Sequence, residues 1–202
     1  HERGAVTRIE RRESLWLIET ALATFEAPLV VNAAGAWGGN LARWLGDDAP
    51  LEAHAPMLVI TQRMPCFVEP VVGALGGALS LKQFDNGTLL IGGGVRGVAL
   101  PNENRTRLDM VGLSGFLKTA RDVFPIMRGA NIVRAWAGIE GYTLDNLPVI
   151  GPGSEPGVVH AFGFSAHGFQ LAPAVGAIVA HLALGETPNL PIKPFRVGRF
   201  SA

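Results

Sequence analysis

The chain has 202 residues, 48% apolar and 17% charged, with zero formal net charge and a pI near 7.2. That balance allows a sizeable core, argues against disorder, and provides no pull toward nucleic acid or an anionic membrane. A single cysteine, Cys66, rules out an internal disulfide, and no Cys/His cluster has metal-ligand spacing, so a reducing, cytoplasmic setting and no bound metal are expected.

Residues 4–32 predict short strands. The segment 4–9 alternates weakly, 15–20 (LWLIET) more strongly, and 29–32 is a short apolar run of the kind a buried strand shows. Small residues follow, then Trp37, Leu41, Trp44 and Leu45 at helical spacing, with Gly46 as a stop. Residues 51–100 read as β-rich. Pro56 argues that 51–61 is an edge strand or bends, and 78–84 and 88–92 flank Asp85-Asn86-Gly87, a hairpin signal because Asn-Gly tolerates positive φ. Residues 101–107 read as a polar loop. An amphipathic helix is expected over 108–124, with Leu108, Val111, Leu113, Leu117, Ala120, Val123 and Phe124 as its apolar set and Pro125 closing it.

Residues 132–142 predict one or two strands, 143–157 turns, and 158–162 a strand. A glycine-rich loop over 163–170 leads into an apolar helix, 171–184, with Pro173 in its first turn and Gly185 after its end. That apolar run is shorter than the roughly 20 residues of a bilayer span and contains Pro173 and His181, so no transmembrane helix is expected. The segment 191–200 reads as an extended tail. The start lacks a secretory leader pattern, and His1 opens inside a hairpin-like stretch, as in a fragment or a processed chain.

Three segments have the make-up of a ligand site. In the first, a buried strand runs into Ala33-Ala34-Gly35-Ala36-Trp37 and a helix start, where small residues admit close approach and free amides favour anions. In the second, strand 158–162 runs into Gly163-Phe164-Ser165-Ala166-His167-Gly168-Phe169-Gln170 and another helix, so backbone amides can face phosphate, carboxylate or a polarised carbonyl. The third, 134–151, combines aromatics, one acid (Glu140) and a turn, and Trp136 and Tyr142 can line an apolar amine pocket. Spacing alone also suits tight βα turns, helix–strand packing and a core tryptophan, and His167 alone suits a structural role.

Together, VVNAAGAW (30–37), WAGIEGYTLDNLPVIG (136–151) and FGFSAHGFQLAPAVG (162–176), with Pro194-Phe195-Arg196 and Arg199-Phe200 near the end, resemble the D-amino-acid oxidase superfamily of flavoproteins. The likeness is greatest to β subunits of heteromeric sarcosine oxidase and to proline, hydroxyproline and opine dehydrogenases, with glycine oxidase in the same group. The resemblance implies an α+β (α/β) fold, in which 51–142 forms a substrate domain with a large mixed or antiparallel sheet. It implies that 1–50 and 143–202 belong to a glutathione-reductase-like FAD-binding domain. It implies FAD as cofactor, bordered by Ala34, Gly35, Trp37, Gly138, Gly163, Phe164, Ser165, Ala166, His167, Gly168, Phe169 and Gln170. It implies that Glu140, Tyr142 and Trp136 serve a small amine or amino-acid substrate, oxidised at its C–N bond by hydride transfer to the flavin. Other subunits of a heteromeric dehydrogenase are possible partners.

Two departures qualify that implication. The family's GxGxxG strand–loop–helix is missing, and Gly92-Gly93-Gly94 is no substitute, because no helix pattern opens after it. The chain is therefore expected to be a C-terminal portion, inactive by itself. Glu140 stands where simple amino-acid oxidases carry a carboxylate-binding arginine, and Leu144 replaces a usual proline. A non-catalytic assembly subunit, or a binding module without redox chemistry, are the alternative readings.

Overall fold

The computed structural model describes residues 3–75 and 78–200. It divides into two compact units, one holding the chain up to Glu52 and from Glu140 onward, the other Ala53–Ile139. The result is an α+β fold with antiparallel and mixed sheets.

The first unit opens with an antiparallel sheet of β1 (Val6–Arg12), β2 (Leu15–Thr20) and β3 (Thr24–Ala27). Its buried side places Ile9 and Trp16 against Leu45 and Val158. The Trp16 indole N–H is satisfied by the Pro156 carbonyl at 3.1 Å. The chain continues through β4 (Val30–Asn32), a 3-10 turn at Gly35–Trp37 and helix α1 (Gly38–Trp44).

The second unit is organised on β5 (Leu51–Thr61), whose later residues lie at the centre of its sheet. Around it come β6 (Val72–Gly73), β7 (Ser80–Gln83), β8 (Leu89–Gly92), β9 (Arg96–Leu100) and β10 (Arg105–Arg107). They assemble in the order β10-β9-β5-β8-β7-β6, and β11 (Ile132–Ala137) also pairs with β5. The Asn-Gly hairpin forms as predicted, with Gly87 at φ +85° joining β7 to β8.

Two expectations fail in this unit. Pro56 does not mark an edge, because β5 exchanges partners beside it. Ala55 and Pro56 pair with β9, whereas Val59 and Ile60 pair with β8, so a residue without an N–H sits where the ladder is handed over. Residues 101–107 are not all loop: Pro101–Glu103 is a 3-10 turn and Arg105–Arg107 pairs with β9.

Helix α2 (Met110–Val123) begins where the Asp109 carboxylate accepts the Val111 amide, and it stops at Phe124 before Pro125. Leu113, Phe116 and Ala120 form its buried stripe and pack with Met57, Val59, Leu81, Leu89 and Ile91 of the sheet. Val111, expected on that stripe, is exposed, since two residues of helix rotate it about 200° from Leu113.

The chain returns to the first unit through β12 (Glu140–Thr143), β13 (Val149–Pro152) and β14 (Val158–Phe162), and then helix α3 (Gly168–Ala183). β13 lies inside the stretch expected to be turns. It pairs antiparallel with β14, and β14 pairs parallel with β4. Val175 and Ile178 of α3 pack on Ile150 and Ala161. The helix starts three residues earlier than expected, which moves Pro173 from the first turn to the second. There the ring removes one backbone bond of the helix. The tail is not extended: it winds into 3-10 turns at Lys193–Phe195 and Val197–Phe200, with Val197 buried.

Candidate functional site

The parallel pair β4 and β14 sets up the site. Val30 aligns with Val158, Val31 with Val159 and Asn32 with His160, so both strands end at the same edge of the sheet. Loops 33–37 and 163–167 therefore emerge side by side, where ligands bind in open sheets with parallel strands. Both loops use left-handed backbone. Gly35 has φ +55° with open space where a Cβ would stand, while Gly163 has φ +70° and a Cβ there would meet Thr143 Cγ2 at 2.8 Å.

Ser165 and Ala166 also take positive φ, +48° and +70°, although neither is glycine. Such backbone costs roughly 1–3 kcal/mol per residue and persists only where its surroundings enforce it. Strand β12 does the enforcing. Gly141 accepts the Ser165 amide at 3.2 Å, and Tyr142 forms an antiparallel bridge to Phe164. The Thr143 amide donates to Ser165 Oγ at 3.2 Å, and Glu140 Oε1 accepts the Ala166 amide at 2.8 Å. Each residue of β12 thus holds one point of the loop.

The loop then opens into α3. The His167 amide is used by Phe164 O at 2.9 Å. The amides of Gly168, Phe169 and Gln170 have no acceptor among the described residues, as helix geometry requires of a first turn. Ala166, His167, Phe169 and Gln170 are exposed, Phe164 and Gly168 half-buried, and Gly163 and Ser165 buried. The arrangement presents amide donors and the positive end of a helix to an electron-rich oxygen.

The structure thus brings Ala34, Gly35, Trp37 and 163–170 to one sheet edge of the first unit, with Glu140 and Tyr142 beneath the second loop. The Glu140 carboxylate is already engaged by Ala166 and stands 3.4 Å from the Tyr142 hydroxyl. In the second unit, Trp136 is half-buried on β11 under the Arg134 guanidinium, 5.6 Å from the ring centroid. Gly138 is exposed after β11, and its amide donates to Pro56 O at 3.3 Å.

Sequence reading missed a polar chain in the first unit, in which buried Asn32, His160 and Asp47 lead to the exposed Ser154. Burial alone pushes the Asp47 carboxyl up, but hydrogen bonds from Ser154 and His160 outweigh it and hold the group below its ordinary range. His160 inside an apolar strand was the available signal. Among the described residues no group of His, Cys, Asp and Glu is arranged to hold a metal, and no helix is long and apolar enough to cross a membrane.

The ends of parallel strands in an open sheet, with amide-rich loops, are where nucleotide cofactors bind in many proteins. Residues 1–182 match the FAD dependent oxidoreductase (DAO) family, and the chain belongs to it. Among curated relatives it is 30% identical over 178 residues to a hydrogen cyanide synthase subunit, HcnC, of Pseudomonas aeruginosa, covering 85% of this chain and 40% of that protein. It is 25% identical to glycine oxidase of Bacillus subtilis, over all of this chain and 53% of that enzyme. The crystal structure of glycine oxidase from Geobacillus kaustophilus superposes with a TM-score of 0.89 at 27% identity, covering all of this chain and 54% of that one. The chain therefore spans about half the length of the relatives it matches.

Proposed function

We propose that the protein to which this chain belongs is an FAD-dependent oxidase or dehydrogenase of a small amine or amino acid, and that 163–170 faces the flavin. The observation that carries this is the loop over β12: backbone held in left-handed conformation, ending in three unoccupied amides at a helix N-terminus. The residues present fit the group. Open space beside Gly35 and the unpaired amides of Gly168, Phe169 and Gln170 suit a flat, oxygen-bearing ring system with an attached phosphate chain. Bound FAD supplies a two-electron acceptor, a task protein side chains do not perform.

The chain's own residues bind and orient. The α3 amides stabilise negative charge at a carbonyl oxygen near the loop. Ala34, Gly35 and Trp37 border the cofactor, and Gly138 of the second unit is proposed as a further cofactor-binding residue. Tyr142 and Trp136 belong to the substrate side. Glu140 acts there and also fixes the Ala166 amide. On this reading 1–50 and 143–202 belong to the FAD-binding domain and 51–142 to the substrate domain. The GxGxxG segment lies outside this chain, and a heteromeric assembly with other subunits is an open extension of the proposal.

The test is visible absorption with added FAD, for the chain alone and joined to an upstream domain of about 180 residues. A flavin band in the longer form alone, bleached by an amine or amino acid, is expected. No band in either form would overturn the flavin reading and favour an assembly role.

A further inference from the structure

We infer that the polar chain Asn32–His160–Asp47–Ser154, buried at its first three residues, is the positioning device for loop 33–38, and that the loop's grip on FAD depends on it. This rests on the flavin reading above. The Asn32 side chain holds both ends of the loop. Its Nδ2 donates to Gly38 O at 2.9 Å, and its Oδ1 accepts the Ala34 amide at 3.3 Å.

The first of these bonds fixes Nδ2 as the donor, because a carbonyl only accepts. Its second hydrogen faces His160 Nδ1 at 3.3 Å, so Nδ1 carries the lone pair and the ring proton lies on Nε2. That proton is donated to Asp47 Oδ2 at 2.9 Å. The second Asp47 oxygen accepts the Ser154 hydroxyl, and the Ser154 amide donates to both oxygens. The direction of each bond from Asn32 to Asp47 follows from one carbonyl, and the Ser154 bonds follow from the acceptor-only carboxylate.

Burial makes the arrangement costly to leave unpaired: His160 is 0% exposed, Asn32 1% and Asp47 5%. Apolar residues of similar size often match such a network in stability, so what it adds is orientation. The His160 ring lies edge-on to Phe162, with centroids 5.5 Å apart, and Phe162 fills the space beside Gly38. One histidine therefore supports the far end of the loop through both Asn32 and Phe162. The loop so held is exposed at Ala33 and Gly35, leaving that surface for a ligand.

The experiment compares His160→Phe and His160→Gln in the longer flavin-binding form. It measures the FAD dissociation constant by titration and the melting temperature of the flavin-free protein. Losing a buried hydrogen bond is worth about tenfold in affinity. His160→Phe should weaken FAD by about that factor, and His160→Gln, which can still donate to Asp47 and accept from Asn32, should recover most of it. Equal losses of melting temperature in both variants, with FAD affinity at the wild-type value, would overturn the assignment. Should His160→Phe not fold, Asn32→Asp keeps the shape and deletes the donor. It should weaken FAD similarly, and unchanged affinity overturns the proposal. Wild-type protein that binds no FAD overturns the flavin reading instead. The network is then judged by 15N resonances of labelled histidine, where a proton on Nδ1 of His160 refutes it and one on Nε2 upholds it.

Discussion

Arg199 allows a prediction whose size and pH range both follow from geometry. Its Nε donates to Asp145 Oδ2 at 2.7 Å and its Nη2 to Oδ1 at 3.2 Å, while Nη1 and Nη2 reach the carbonyls of Phe195, Arg196 and Leu147. The guanidinium also lies 4.1 Å from the Phe200 ring centroid. This fork staples the terminal 3-10 turn to the 143–147 turn. The Arg199 hydrogen bonds hold the Asp145 carboxyl well down, to about 2. A displacement of nearly two units corresponds at most to about 2.5 kcal/mol. Asp145 is 37% exposed, so solvent screening reduces this to about 1 kcal/mol.

The folded carboxyl is depressed, so its contribution is complete above the unfolded value near 3.9 and is lost as pH falls toward 2. Arg199→Ala should therefore cost about 1.5–2 kcal/mol at pH 7, including roughly 0.5–1 for the cation–π contact. The gap to wild type should narrow by about 1 kcal/mol between pH 5 and pH 2. Asp145→Asn keeps the shape and should lose only the pH-dependent part. Urea unfolding followed by tryptophan fluorescence at several pH values measures both. A gap that stays constant down to pH 2 would refute the electrostatic reasoning and leave packing as the explanation.

Two further predictions come from the site. Glu140→Gln keeps an acceptor for the Ala166 amide and should hold the flavin band of the longer protein near wild type, whereas Glu140→Ala should weaken FAD about tenfold. Equal binding in both variants would remove Glu140 from the loop's support. Gly38→Ala introduces a Cβ that collides with the Phe162 ring on a backbone any residue can adopt, so overpacking should cost about 1–3 kcal/mol. Adding Phe162→Leu should recover part of that loss in a double-mutant cycle, and strict additivity would show that the two sites do not touch in solution.

Legibility along the chain followed how local the cause of each feature was. The Asn-Gly hairpin, α2 and β14 were readable because each depends on neighbours a few residues away. The end of α2 was readable because Pro125 acts on the residue before it. β10 and β13 were missed because short polar or turn-like stretches become strands only when a partner offers its ladder. Pro56 misled for the same reason: a proline is excluded from a sheet interior only if its missing N–H was needed, and that depends on where partners change.

At the site, the glycine-rich loops were visible as motifs, and their small residues already suggested a close-fitting ligand. The three motifs and their order were enough for the resemblance to the family the chain belongs to, since that rests on residue types in sequence. Only tertiary structure decided how the loops are held. The support for Ala166 comes from Glu140, 26 residues away, and the partner of Asp47 is His160, 113 residues away. No periodicity in a linear sequence carries such pairings. They arise because β4 and β14 align in parallel and β12 lies beneath their loop, and burial then makes each polar group find its partner.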